Sequence, residues 1–255
     1  MIRYEAVPPR ATVIIDDPQR HNPLSTTAMA ELALAVDRAA DAPEIKVIVI
    51  TGEGDKAFSA GGDLAGDFVD DVMGSHADRA ALAEAFRALR RAGKPIIARI
   101  NGHALGGGFG VAVGCDIGIA ANTATLGMPE VDVGLWPMMV IAVVQRAMPH
   151  KAALELMMTG RRLNADEAMR LGLVSRVVPP ADLDGAVDET VDSLASKSSA
   201  VLRMGRDAFY AAQDMDFDAA LDHLHNGLTA VALTDDAAEG VAAFLEKRDP
   251  LWRGS

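Results

Sequence analysis

The pattern of apolar and polar positions predicts strands and helices in a repeating order. ATVIIDD (residues 11–17) and KVIVITG (46–52) are short apolar runs bounded by turn residues, as strands are. The second is apolar almost throughout and closed by Gly52, as expected of a strand covered on both faces. Between them TTAMAELALAVDRAAD (26–41) carries Ala and Leu at helical spacing, with Ser25 or Thr26 placed to cap it. EGDKAFSAGGDL (53–64) reads as loop and turn, and HADRAALAEAFRALRRAG (76–93) as a second helix ending at Gly93. KPIIARING (94–102) is a third buried strand, GGGFGVAVGCD (106–116) opens a helix, and IGIAA (117–121) returns as strand. That order predicts an α/β fold with a parallel sheet and crossover helices.

Beyond residue 135 the helical period takes over. MMVIAVVQRAM (138–148), KAALELMMTG (151–160), NADEAMRLG (164–172), ADLDGAVDETVDSLASK (181–197), SAVLRMGRDAFYAAQ (199–213), FDAALDHLHNGLTAVALT (217–234) and DAAEGVAAFLEKR (236–248) all read as helices. Only LVSRVV (173–178) reads as a strand there. The last 60 residues form a helical appendage joined without a low-complexity linker. No internal repeat is visible.

The chain's 255 residues suit one large domain, or one domain with a small appendage. Half are hydrophobic and only 4% aromatic, so the core must be built from aliphatic side chains. The net charge of −12 repels phosphate backbones and argues against a nucleic-acid partner. A bound anion would need local cations or helix N-termini. Cys115 is the single cysteine, so no intramolecular disulfide is possible, which fits a reducing compartment. MIRYEAVPPRATVII lacks an apolar stretch of signal-peptide length. The most apolar run, ALGGGFGVAVGCDIGIAA (104–121), is broken by glycines and Asp116 and reads as buried backbone, not a membrane span. A cytoplasmic protein without a membrane partner is expected.

That run holds the candidate chemistry. Gly106, Gly107, Gly108, Gly110 and Gly114 crowd into nine positions. Glycine permits positive φ and close backbone approach. At a strand-to-helix junction, unpaired N–H groups backed by the helix dipole can hold an anion or a developing oxyanion. The same glycines would serve tight packing of a buried helix, and spacing alone leaves both readings open. ITGEGDKAFSAGGDL (50–64) also sets small residues, Ser59 to Gly62, after a buried strand. If the two strands are neighbours, one N–H from each loop could converge on a single carbonyl oxygen.

Simpler motifs fail. The stretch Ala57 to Gly61 lacks the first glycine of a G-x-S-x-G nucleophile elbow. Gly108, Gly110 and Gly114 match a dinucleotide fingerprint only loosely, with no acidic residue at the expected distance. His and acidic residues show no metal-ligand spacing. Taken alone, Glu130 is a loop acid, and Asp132 two residues on would point the other way along an extended segment. His103 reads as structural, Asp63 as ordering its own loop, Asp116 as a local cap, Cys115 as a small buried residue, and Met138–Met139 and Met157–Met158 as core and pocket lining.

KAFSAGGDL (56–64), NGHALGGG (101–108), LGMPEVDVGL (126–135) and GVAAFLEKRDPLW (240–252), with RHNPLS (20–25), together resemble the enoyl-CoA hydratase/isomerase (crotonase) superfamily. The likeness runs over essentially the whole chain, with the motifs in order. It implies a crotonase-like spiral of ββα units over residues 1–195 and a C-terminal helical trimerisation region over 196–255, assembled as a trimer or a dimer of trimers. It implies an acyl-CoA substrate and no cofactor beyond that thioester. The resemblance puts the two oxyanion N–H donors on Ala60 and Gly107. It puts CoA and acyl contacts on His21, Asn22, Leu24, Gly62, Asp63, Leu64, Gly110, Pro129 and Met138, with Lys247 meeting a phosphate. Residues 65–80 are expected to line the acyl tail pocket.

Two departures shape the expected chemistry. Hydratases similar to this chain use two glutamates to hold and activate a water, one on the helix after the glycine cluster and one in the PE pair. Here Pro129–Glu130 is intact, but the first glutamate's position is Gly110. Those hydratases then run through a proline into a small glycine-rich turn, whereas GLWPMMV (134–140) brings Met138 and Met139, expected to dry and narrow the site near Glu130. Both changes disfavour water addition. The expected reaction is Δ3,Δ2-enoyl-CoA isomerisation with Glu130 as the single acid/base. The alternatives are hydration of a 2-enoyl-CoA, with Asp132 or an ordered water in the lost glutamate's role, and a catalytically degenerate protein that binds acyl-CoA without turnover.

Overall fold

The computed structural model describes residues 1–63 and 74–255. The chain runs β1 (Ile2–Val7), β2 (Arg10–Ile15), α1 (Thr26–Asp41), β3 (Val47–Gly52), β4 (Ala57–Ser59), α2 (Gly74–Arg91), β5 (Ile96–Ile100), β6 (His103–Leu105) and α3 (Gly107–Gly114). It continues through β7 (Ile117–Ala121), β8 (Thr125–Gly127), α4 (Met138–Ala147), α5 (His150–Thr159), β9 (Arg162–Asn164), α6 (Ala165–Arg170) and β10 (Arg176–Val178). Four helices close it: α7 (Leu183–Ala195), α8 (Ser199–Ala212), α9 (Phe217–Ala232) and α10 (Asp235–Glu246). Ser25 caps α1 by accepting from the Ala28 N–H, as its hydroxyl predicts.

The strands form two sheets. The larger has the order β1-β2-β3-β5-β7-β10 and is parallel apart from the β1–β2 hairpin. The smaller has the order β4-β6-β8-β9, parallel except at β8–β9. Three successive pairs, β3/β4, β5/β6 and β7/β8, therefore split, the first strand entering the large sheet and the second the small one, with a helix after each pair. This ββα repeat is the one the resemblance implied. The pattern reading missed β4, β6, β8 and β9, because three residues are too few to display a period. It also missed β1, none of whose residues is buried.

Alternation in β3 explains its apolar run. Ile48 and Ile50 join Leu32 and Val36 of α1 and Leu89 of α2 in the main core. Val47 and Val49 face the other way, onto Leu183, Val187 and Val191 of α7. A strand buried on both faces has no polar positions to spare.

Two carboxylates, one half-buried and one buried, tie down the C-terminal helices and tail. Asp116 accepts from the Ile96 N–H, from Arg206 Nε at 2.8 Å and from the Tyr210 hydroxyl at 2.6 Å. Its bonds thus reach α8, beyond the local cap expected of it. Asp236, 1% exposed, accepts from the Ser198 hydroxyl and from the N–H groups of Arg253 and Gly254, pinning the C-terminus. Phe217, Leu228, Leu233, Phe244 and Leu245 on these helices remain exposed. No helix among the described residues is long and apolar enough to cross a membrane.

Candidate active site

Strands β4, β6 and β8 lie side by side and parallel, so their C-terminal ends open on one edge. Ligands of α/β sheets sit at such ends. The three segments delivered there are Ala60–Asp63, Gly106–Gly107 and Met128–Glu130. The first two touch. Gly61 has φ +95°, and a methyl group on it would fall 2.8 Å from the Leu105 carbonyl oxygen and 3.5 Å from Gly106 Cα. Gly106 has φ +53°, a conformation that side chains resist, and it starts α3.

The donor pair differs from the one expected. The Ala60 N–H is already engaged, donating to the His21 carbonyl at 2.9 Å. The Gly62 N–H has no acceptor among the described residues. Gly62 N also lies 3.9 Å from where a Cβ on Gly107 would sit. Gly107 is the first residue of α3, so its N–H has no partner within the helix. The free pair is therefore Gly62 and Gly107, and the assignment to Ala60 is corrected. The alternative spacing was present in SAGGD, but which N–H is consumed depends on the His21 carbonyl, 39 residues upstream of Ala60.

Glu130 faces the same junction. It stands on a single tight turn, Pro129–Val133, opened by Pro129 and closed by Gly134, whose N–H returns to the Glu130 and Val131 carbonyls. A methyl group on Gly106 would come within 2.9 Å of Glu130 Oε1. Its Oε2 is buried without a hydrogen-bond partner among the described residues. Burial raises the pKa of this carboxyl above the ordinary 4.5, against a weaker lowering by its own backbone N–H. A desolvated carboxylate with an unfilled acceptor oxygen is a group arranged to take a proton.

One turn along α3, Gly110 is boxed in. A Cβ there would meet Phe86 Cζ at 2.7 Å and Val140 Cγ1 at 3.2 Å. Gly107 and Gly114 face Leu82 and Leu89 in the same way, at 3.8 and 3.1 Å. The glycines at 107, 110 and 114 thus form a smooth stripe on which α2 lays Leu82, Phe86 and Leu89. The packing reading of the cluster holds, since its face admits a neighbouring helix, and its N-terminal end also leaves the Gly107 N–H outside the helix ladder. Glycines at i, i+3 and i+7 could have announced that face in the sequence. Phe86, which they receive, was missed. Phe86 and Val140, and neither Met138 nor Met139, are the side chains packed on Gly110. Met138 is 70% exposed, and nothing places it against Glu130.

Other expected contacts divide. Asn22 is fully buried and ties Asp17, Glu53 and Ala57 backbones together, so its side chain is structural. Leu24 is buried in the core, its backbone pairing with Gly61 and Asp63. Neither side chain is available to a ligand. His21 is exposed beside a small cleft that also includes Lys56. Asp63 receives Arg20 Nη2 at 2.6 Å, in the loop-ordering role expected. His103 Nδ1 pairs with Thr125 Oγ1 at 2.6 Å. The Asp132 carboxylate lies against Gly160, where a methyl would meet it at 2.8 Å. Lys247 is exposed at the C-terminus of α10. Leu64 and residues 65–73 of the expected tail pocket lie outside the described residues.

The fold places two unengaged backbone N–H groups and a buried carboxylate oxygen at the strand ends of an α/β protein. Comparison with known proteins narrows this. The Enoyl-CoA hydratase/isomerase family model matches residues 10–255, and the chain belongs to that family. It is 35% identical over 245 residues to a putative enoyl-CoA hydratase of Thermus thermophilus, covering 94% of this chain and 96% of that protein. It is 36% identical to a crotonyl-CoA hydratase of Syntrophomonas wolfei, over 93% of this chain and 92% of that one. The crystal structure of an enoyl-CoA hydratase from Mycobacterium smegmatis superimposes with a TM-score of 0.94 at 30% identity, covering 98% of both chains. The fold is that of the crotonase superfamily.

Proposed function

We propose that this acyl-CoA enzyme isomerises a 3-enoyl-CoA to the conjugated 2-enoyl-CoA, with Glu130 as its one acid/base. The Gly62 and Gly107 N–H groups receive the thioester oxygen. Ionised Glu130 removes a proton from C2, the electron pair spreads onto that oxygen as a dienolate, and protonated Glu130 returns the proton to C4. The two N–H donors and the positive end of α3 stabilise the oxyanion. A raised carboxyl pKa brings Glu130 closer to the working pH of a proton shuttle. The reaction needs no cofactor. We read residues 196–255 as an oligomerisation region giving a trimer or dimer of trimers, which would cover the exposed apolar side chains of α9 and α10, and Lys247 as a phosphate contact.

The observation that carries this reading is the Gly110 site. A second carboxylate is absent there, and an aromatic ring and a valine methyl fill the space. The test is Glu130→Gln: CoA-ester binding should persist while conversion of a 3-enoyl-CoA is lost, and surviving conversion would refute the role. Hydration is the second reading, favoured by the hydratase names of the relatives. It needs another group to hold the water, and Asp132, its candidate, is turned toward Gly160.

A further inference from the structure

Phe86 has two neighbourhoods. Its ring tip lies on Gly110, one helical turn from the Gly106–Gly107 end of α3. The same side chain lines a cavity of about 540 Å³ between α2, the end of α3, α4 and α8. That volume is in the range of small-molecule pockets, roughly 300–1,000 Å³. Val113, Met139, Val143, Leu173 and Phe209 make much of its wall apolar. Its charged members are already satisfied. Arg90 and Arg146 both pair with Asp214 at 2.6 Å, Arg87 pairs with Glu84 at 3.3 Å, and Asp116 accepts from Arg206 and Tyr210. Among the described residues that line it no unpaired charge is offered to a polar head group, so the cavity fits a hydrocarbon chain.

We propose that Phe86 sets the acyl-chain length, by standing as a partition between the Gly110 end of the site and this cavity. With the ring in place the enzyme takes short acyl groups. With the ring removed, the cavity becomes an extension of the site and admits a long unbranched chain. The substrate class so named rests on the acyl-CoA reading above, but the partition can be read by binding alone. Glycine at position 110 is part of the device, because any Cβ there would drive the ring from its seat.

The experiment measures dissociation constants of butanoyl-CoA and dodecanoyl-CoA by calorimetry, for the unaltered 255-residue chain and three variants. Phe86→Ala should shift the preference toward the longer chain by tenfold or more, and Phe86→Leu, which keeps more packing, should shift it the same way by less. Adding Val143→Phe to Phe86→Ala refills the cavity and should abolish the shift. An unchanged preference in folded Phe86→Ala and Phe86→Leu overturns the partition, as does a shift that survives Val143→Phe. Turnover of 3-enoyl-CoA substrates is followed in parallel. A wild-type protein that binds both esters but converts neither 3-enoyl substrate refutes the isomerase reading and leaves the binding ratio to judge Phe86.

Discussion

Two acids withdrawn from water, Glu130 and Asp236, end in opposite electrostatic states. Burial pushes Asp236 up, but the Ser198 hydroxyl and the Arg253 and Gly254 N–H groups outweigh it, holding its carboxyl below the ordinary range. Glu130 Oε2 has no such donor among the described residues, and burial wins. One region uses a carboxylate as a staple and saturates it. The other keeps one hungry beside two free N–H groups. Native proteins satisfy nearly all buried polar atoms, so an unsatisfied one at a strand-end cleft marks chemistry more strongly than residue type does.

The sharpest way to break this contrast is Glu130→Gln. Turnover should fall by about 10²–10⁴-fold, the usual worth of a positioned acid/base. Melting temperature at pH 7 should hold or rise, because the amide removes a desolvated charge. Intact turnover with a lowered melting temperature would make Glu130 a second staple. Gly107→Ala comes next. Its methyl would sit 3.9 Å from Gly62 N with no closer contact than Leu82 at 3.8 Å, so the fold should survive while the carbonyl seat is obstructed. A drop of about 10²-fold or more in kcat/KM is expected, comparable to losing an oxyanion donor. Gly108→Ala, whose Cβ would lie 2.5 Å from Ser59 Cβ, should instead disturb folding, and circular dichroism separates the two.

Asp236→Ala reverses the first prediction. It strands three donors and should cost about 1–3 kcal/mol in a denaturant titration, with little change in turnover per folded molecule. The pH dependence sharpens the contrast further. Since the Glu130 pKa is raised, the acid limb of kcat/KM should lie above 4.5 and vanish in Glu130→Gln. In stability the signs oppose. A raised folded pKa gives Glu130 a contribution present below its unfolded value and lost as pH rises through the folded one. The lowered pKa of Asp236 gives a contribution present above its unfolded value and lost as pH falls through the folded one. The smallest effect is expected of Asp132→Asn, within a few-fold in turnover, because that carboxylate faces Gly160. A loss like that of Glu130→Gln would revive water activation.

Much of the large sheet and every long helix could be read from periodicity, because most elements of five residues or more express their period, six-residue β1 being the exception. The small sheet could not, yet three of its strands carry the site. Glu130 was legible through the PE segment. The free N–H beside Gly107 was expected two residues too early, because which of Ala60 and Gly62 keeps it is decided by a carbonyl in a distant loop. Asn22 resembled a ligand contact and is a buried brace, since a side chain that ties three backbones leaves no trace in spacing. Phe86 has no motif of its own; only its position opposite a glycine gives it meaning.

The most direct measurement is a parallel assay of a 3-enoyl-CoA and a 2-enoyl-CoA, following absorbance of the conjugated thioester and identifying the products. Single-carboxylate isomerisation predicts growth of the signal from the 3-enoyl substrate and no 3-hydroxyacyl product from the 2-enoyl one. Loss of signal from the 2-enoyl substrate with formation of a 3-hydroxyacyl-CoA would contradict it, and would mean that water is activated despite the glycine at position 110.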